Sequence, residues 1–364
     1  MPNRVDRQLS ELVGNTRRFV DRFSHEFRTP LTVIKEYAAV LRDGSTGSLT
    51  SKQREMLGTI SDRADDLERM VHDMMDIGRL TSGMYRLWRR PTSVESIVNS
   101  IGNLLRDKAA VRSVCVSVES DQSSFYVDAD KLPRSLARLG IAHLRLNGGR
   151  EAIYVSGRRD GDMIEIRIAC DGSDYETEEL DLIRSLVEET PLDFDPADQN
   201  ACSATSGVGW GPAVTKRVVE LHFGTLDISQ TSPSRVEFII RLPQGNPQQL
   251  ATLWYEEHGE EELSLLTVTP AADTPRAMDI IIGEFLQRTV GMHDLALSKE
   301  DGSWIILLTG GESELDETLT LLRENWQESL GERPAGMMPE LTFAKQATLP
   351  AETSISEFLE KIKL

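Results

Sequence analysis

Among six histidines in the chain, His25 has neighbours that suit it to chemistry. It lies in Phe23-Ser24-His25-Glu26-Phe27-Arg28-Thr29-Pro30-Leu31, where Phe23, Phe27, Leu31, Ile34, Ala38 and Leu41 recur by threes and fours and mark the apolar stripe of a helix from about Arg18 to Leu41. His25 stands two residues past Phe23, about 200° round a 3.6-residue helix, so it faces solvent and suits a reagent. Glu26 beside it is placed to take a proton from the imidazole and leave the distal nitrogen nucleophilic. Thr29, four residues on, shares the histidine's face and would orient a water or a partner. Pro30 cannot donate to the Glu26 carbonyl, which loosens the helix next to the histidine. On spacing alone, a histidine so placed is more often a solvated surface residue.

A second signal is Gly207-Val208-Gly209-Trp210-Gly211-Pro212, followed by the helical run Ala213 to His222. Glycines at alternate positions let backbone amides approach phosphates, and a helix starting just afterwards offers a partly positive N-terminus. Such glycine runs are also common as plain turns.

The elements that must position these residues read as three units. After the first helix, Asp43 to Ser48 supply turn chemistry, and Thr50 with Gln53 form a capping box for a second helix. Leu57, Ile60, Ala64, Leu67, Val71 and Met74 give it a coiled-coil-like seam. Such a hairpin has too little core to stand alone, which predicts that two copies pair as a four-helix bundle. Arg89-Arg90-Pro91 breaks the helical pattern, and helical stretches then mix with alternating runs to about Leu242, predicting an α+β domain. The polar stretch Pro243 to Gln249 marks a boundary. Beyond it the chain reads as strand Leu263 to Val268, helix Ala277 to Gln287, hairpin Leu295 to Leu308, helix Glu314 to Trp326, strand and terminal helix. Glu256-Glu257 and Glu260 to Glu262 read as a solvated linker or helix face.

Composition narrows the function classes. With 40 Lys and Arg against 59 Asp and Glu in 364 residues, the net charge is −19, which argues against a nucleic-acid partner. Three cysteines, Cys115, Cys170 and Cys202, fit neither a disulfide framework nor a zinc site. No apolar leader and no run of about 18 apolar residues occurs, predicting a cytoplasmic protein with no membrane span.

The words around His25 resemble the H-box of two-component sensor histidine kinases, and Met74 to Gly83 is similar to the end of that family's second dimerisation helix. The run from Gly207 to Lys216 resembles the second glycine box of the Bergerat-type ATPase domain that follows the hairpin in this family. The resemblance implies His25 as phosphoacceptor, Glu26 as its acid/base partner and Thr29 in removal of phosphate from the response regulator. It implies ATP and Mg as cofactors, with Arg145, Gly172, Gly207, Gly209 and Gly211 around the nucleotide. It also implies a homodimer through residues 15–90, a response-regulator receiver domain as partner, and a partner kinase or sensor protein as a further one.

Two boxes depart from the family's pattern. Arg138 and Ala142 stand where asparagines that help hold magnesium are expected, and only Arg145 keeps a cation for phosphate. Cys170 stands where an aspartate reads the adenine amino group, with Asp171 one residue off and Asp174 in place of a glycine. Each change disfavours ATP, and a pseudokinase scaffold or a phosphotransfer protein without its own ATP turnover is the competing reading. Residues 260–347 resemble diguanylate cyclase (GGDEF) domains in the order of elements, with Gly302 and Ser303 in place of two acidic residues, so catalysis is not expected there.

The expected architecture is multidomain. It has an N-terminal extension 1–14, an all-α antiparallel helical hairpin 15–90 forming a dimeric four-helix bundle, and a Bergerat-type α/β-sandwich domain 91–243. A linker 244–259 and a small ferredoxin-like α+β domain 260–364 follow. The extension is too short for a sensor domain, which predicts that the signal arrives through a partner, through the C-terminal unit, or through a part of the protein that precedes this sequence.

Overall fold

A computed structural model describes residues 26–27, 29–44, 47–109, 114–146, 152–172, 181, 183–185, 187, 210–331 and 338–362. Helix α1 (29–42) and helix α2 (Ser51–Thr81) form the hairpin. Thr50 caps α2: its hydroxyl accepts from the Gln53 N–H at 3.2 Å, and the Gln53 side-chain oxygen accepts from the Thr50 N–H at 2.9 Å. Lys35 of α1 clamps the two helices by reaching Asp65 and Glu68 of α2, each at 2.7 Å. Among the described residues of α1 and α2 the buried apolar side chains are Leu31, Ala38, Ala64, Met75 and Leu80, whereas Ile34, Tyr37, Val40, Ile60, Leu67 and Met74 remain exposed. Two helices share a single seam, narrower than the apolar stripe each carries.

The middle unit begins with β1 (Arg89–Ser93), so Arg89 and Arg90, expected to end the hairpin, instead pair with β3. Helix α3 (Val94–Ala109), β2 (Cys115–Ser120), β3 (Ser124–Asp128), α4 (Lys131–Leu146), β4 (Ala152–Asp160) and β5 (Met163–Asp171) follow. Helix α5 (Gly211–Glu220), β6 (Thr225–Ser232) and β7 (Arg235–Pro243) complete it. Five strands form one sheet in the order β2-β4-β5-β7-β6, parallel between β2 and β4 and antiparallel elsewhere. Strand alternation sorts the two faces. Ile164, Ile166, Ile168 and Cys170 of β5 and Val236, Phe238 and Ile240 of β7 turn inward onto Ile97, Ile101 and Leu105 of α3 and Leu132, Leu136 and Leu139 of α4. The opposite face carries charge: Glu165 accepts from Arg167 at 2.8 Å and Arg158 at 3.1 Å, and Arg235 bridges Asp171 and Glu237. A helical hairpin is thus followed by an α/β sheet domain with its helices on one face.

The C-terminal unit contains α6 (Pro247–His258), β8 (Leu263–Pro270), α7 (Asp279–Thr289), β9 (Leu295–Ser298), β10 (Trp304–Thr309), α8 (Glu312–Gly331), β11 (Leu341–Leu349) and α9 (Ile355–Ile362). Its antiparallel sheet has the order β11-β8-β10-β9. Trp304 to Leu308 is an unbroken buried run because both faces of this sheet are covered. Leu266, Ile306 and Leu308 meet Ile282 and Leu286 of α7 and Leu322 and Trp326 of α8. Leu265, Ile305 and Leu307 meet Leu250, Ala251 and Trp254 of α6 and Phe358 and Ile362 of α9. The segment 244–259, expected as a linker, is therefore mostly a core helix. Its signals were Asn246, whose side chain accepts from the Gln249 N–H at 2.8 Å, and Pro247 in the first turn, together an ordinary helix start.

Gln287 of α7 fastens the C-terminal unit to the sheet domain. Its Oε1 accepts from the buried Arg89 N–H at 2.7 Å, and its Nε2 donates to the Arg89 carbonyl at 3.0 Å. Met292 joins Leu80, Tyr85, Leu87, Val214, Val218 and Leu221 in one cluster where all three units meet. No helix among the described residues is long and apolar enough to cross a membrane.

Candidate functional site

His25 lies outside the described residues, as do Gly207 and Gly209. Glu26 and Thr29 are helical and exposed at the start of the hairpin, three residues apart, and so point from neighbouring positions on the helix surface. Arg145 belongs to α4, but its side chain is outside the described set.

A cavity of about 760 Å³ opens between α2 and α4; of the residues that the resemblance assigns to the nucleotide, Gly211 lines it and Gly172 does not. Asp62, Asp66, Arg69 and Asp73 line it from the hairpin, and Arg134, Arg138, Ala142 and Gly211 from the sheet domain. The volume suits a small-molecule ligand. Arg138 spans the cavity wall to make a short ion pair with Asp76 and lies 3.7 Å from Asp73. A guanidinium already neutralised by two carboxylates is no metal ligand, and the Ala142 methyl group has no donor atom. The residues at these two positions do not fit magnesium. Helix α2 is thereby latched onto the helix that would form the nucleotide's floor.

Gly211 opens α5 and is buried against Arg138: a Cβ placed on it would come 3.1 Å from the Arg138 Cβ. Close approach of α4 and α5 explains this glycine without a phosphate. Thr215 confirms the tight crossing, its hydroxyl donating to the Ser135 carbonyl at 2.6 Å. Gly172 follows β5, and its N–H is taken by the Ser234 carbonyl at 2.9 Å. Cys170 is fully buried in the sheet-helix core. Asp171 points to the other face, where Arg235 donates to its two oxygens at 2.9 and 3.1 Å. The one-residue offset read from the sequence thus separates this carboxylate from the helix side of the sheet.

Asp73 and Asp76 were missed by sequence reasoning. The available signal was Arg138 itself, since a cation on a buried helix position needs acidic partners. Sixty-odd residues of separation gave no means of choosing them. Two buried histidines of the sheet domain are held neutral: burial pushes His143 down to about 4, and burial with the Arg89 charge does the same to His222. His222 uses both ring nitrogens, Nδ1 donating to the Val218 carbonyl at 2.7 Å and Nε2 accepting from the Asp128 N–H at 3.1 Å.

Residues 15–83 match the family of the His Kinase A (phospho-acceptor) domain. The chain is similar to the circadian input-output histidine kinase CikA of Synechococcus elongatus, 26% identical over 231 residues covering 62% of this chain and 30% of the relative. It is also similar to the sensory/regulatory protein RpfC of Xanthomonas campestris pv. campestris, 28% identical over 253 residues covering 65% of this chain and 32% of the relative. This chain thus matches about a third of the length of these relatives. Among solved structures, full-length ShkA in complex with AMPPNP superimposes with a TM-score of 0.44 at 19% identity, covering 62% of this chain and 45% of that one.

Proposed function

We propose that the chain is a histidine-kinase-type phosphoryl carrier of two-component signalling. His25 takes a phosphoryl group on an imidazole nitrogen, with Glu26 accepting the ring proton, and passes it to an aspartate of a response-regulator receiver domain. Thr29, on the same exposed helix, serves the reverse removal of phosphate from the regulator. The observation that carries this reading is the phospho-acceptor domain match over residues 15–83, within which the His25-to-Pro30 motif falls. Exposure of Ile34, Tyr37, Ile60 and Leu67 supports pairing of two hairpins in a homodimeric four-helix bundle.

The similarity to histidine kinases favours ATP as phosphoryl donor. One observation favours a second reading, transfer or scaffolding without ATP turnover: Arg138 and Ala142 leave no magnesium ligand where the family places asparagines, and Arg138 is spent on the hairpin. The C-terminal unit reads as a ferredoxin-like regulatory domain, supported by its β11-β8-β10-β9 order. Cyclase chemistry is not part of the proposal, because Asp301 is engaged by the Ser303 N–H and hydroxyl at 2.9 and 2.6 Å within its own turn around Gly302, whose φ is 82°.

Incubation with γ-labelled ATP and magnesium, beside the His25→Gln variant, separates the two readings. Acid-labile, base-stable label on the wild type alone establishes the kinase. No label from ATP, but label acquired from a phosphorylated receiver domain and lost in His25→Gln, establishes the carrier without ATP turnover. Absence of both in folded protein overturns phosphoryl transfer.

A further inference from the structure

We infer that Glu257, His258 and His293 bind one zinc-class divalent cation at the junction of the C-terminal unit and the sheet domain. A ligand atom from each of the three lies within 4.8 Å of the others. In a tetrahedral site with metal-ligand bonds of about 2.1 Å, donors stand roughly 3.4 Å apart. The exposed Glu257 and half-buried His293 side chains would have to turn inward to close the difference.

The backbone is already fixed. Trp254, one turn before His258 and 1% exposed, donates its indole N–H to the His293 carbonyl at 2.6 Å. It also packs against the His258 ring, with centroids 5.2 Å apart. One buried side chain therefore sets the end of α6 and the approach to β9 at the spacing that brings both imidazoles together, 5.8 Å between centroids.

All three side chains line a void of about 20 Å³, which they share with Arg89, Arg217 and Leu221 of the sheet domain. That is room for one water-sized sphere. Arg217 pairs with Glu220 at 3.2 Å, and Arg89 donates to the Leu221 carbonyl and lies over the Phe223 ring, while both charges also reach the site, Arg89 acting on Glu257 and Arg217 on His293. Two imidazoles and one carboxylate are borderline donors that select zinc, copper or nickel over magnesium or calcium. Water completes the fourth position, and Glu261, 3.8 Å from His258 Nδ1, is near enough to orient it. This site is separate from the cavity between α2 and α4 and stands independently of the proposed phosphoryl transfer. Because α6 is the segment that leaves the sheet domain, the ion would lock the docking of the C-terminal unit.

The test is calorimetric titration of the full chain with zinc alone, for the wild type, Glu257→Gln, His293→Ala, and the controls His72→Ala and Cys115→Ser, each checked for native circular dichroism. One equivalent is expected, weakened at least tenfold by Glu257→Gln and more by His293→Ala, and unchanged in both controls. Cobalt should give a visible ligand-field band that His293→Ala removes, and magnesium should neither bind nor compete. Glu257 is exposed, so its variant keeps the test valid even where His293→Ala misfolds. No stoichiometric heat in folded wild type, binding that survives Glu257→Gln unchanged, or binding lost in either control overturns the site.

Discussion

Arg138 gives its short ion pair to Asp76 and leaves Asp73, three residues earlier on α2, with no hydrogen bond to either oxygen among the described residues. Asp73 is 1% exposed, with its nearest cationic nitrogens at 3.7 Å on Arg138 and 4.0 Å on Arg69. Burial outweighs both charges and raises the carboxyl above its ordinary range. The latch between hairpin and sheet domain thus includes one satisfied carboxylate and one under-satisfied one.

Replacing Arg138 by Met should destabilise the folded chain by about 3 kcal/mol, since removing one partner of a buried ion pair leaves the remaining charge uncompensated. Adding Asp73→Asn should restore part of the loss. Urea unfolding of the single and double variants reads the coupling directly, and equal midpoints for wild type and Arg138→Met would dismiss the latch as a stabilising contact.

Asp73 also sets a pH dependence with a definite sign. Its folded pKa is raised above the ordinary carboxylate value of 3.8, so the native state binds the proton more tightly than the unfolded chain does. Its contribution is therefore fully present below that value and is lost as pH rises through the folded pKa. Asp73→Asn should remove this loss, so that the variant gains on the wild type as pH is raised through the window, measured as unfolding midpoint at several pH values.

His143 and His222 act in the opposite direction. Both are buried and lowered from 6.5 to about 4, so their contribution is present above about 6.5 and is lost as pH falls towards 4. Each accounts for roughly 3 kcal/mol at the acid end of that window, from two to three pKa units at about 1.4 kcal/mol each. Unfolding between pH 6 and about 4.5 should take up close to two protons, read as the slope of stability against pH, and His143→Leu should reduce that uptake by one.

Thr50→Ala should cost about 1 kcal/mol by removing the cap of α2. The loss should concentrate in the first turn of the helix, where hydrogen exchange of residues 51–54 would rise while the sheet domain keeps its protection.

Gln287→Ala should loosen the C-terminal unit, because the N–H and carbonyl of buried Arg89 lose their partners, at about 1 to 3 kcal/mol for each group left unpaired. Faster hydrogen exchange at Arg89 and Arg90 and on α7, with strand β10 still protected, is the expected pattern. Uniform exchange would show that the docking is held by the apolar cluster around Met292 instead.

The hairpin and its turn were legible because their signals are local. Thr50 and Gln53 are three residues apart, and the apolar stripe repeats within a single helix. The strands of the sheet domain were legible in their alternation, and the facing of Cys170 and Asp171 followed from a period of two residues. Helix α6 was hidden because it follows directly on the polar stretch Pro243 to Gln249, and its reason for existing lies elsewhere. The unbroken runs of β8 and β10 need a cover on their second face, and the chain supplies it from both ends of the unit.

The sequence by itself determined the helix pair of the hairpin, the order of elements from Leu263 on, the motif around His25 and the residues that depart from the family's pattern at 138, 142 and 170. Only the tertiary structure decided what those residues do: that Arg138 reaches Asp76 and Asp73, that Gly211 is a packing glycine against α4, and that Glu257, His258 and His293 converge. The physical reason is range. Helix periodicity, caps and strand alternation are written over a few residues, whereas an ion pair or a ligand cluster depends on which surfaces meet when helices and sheets bury their apolar faces, and that choice is made by the whole chain at once.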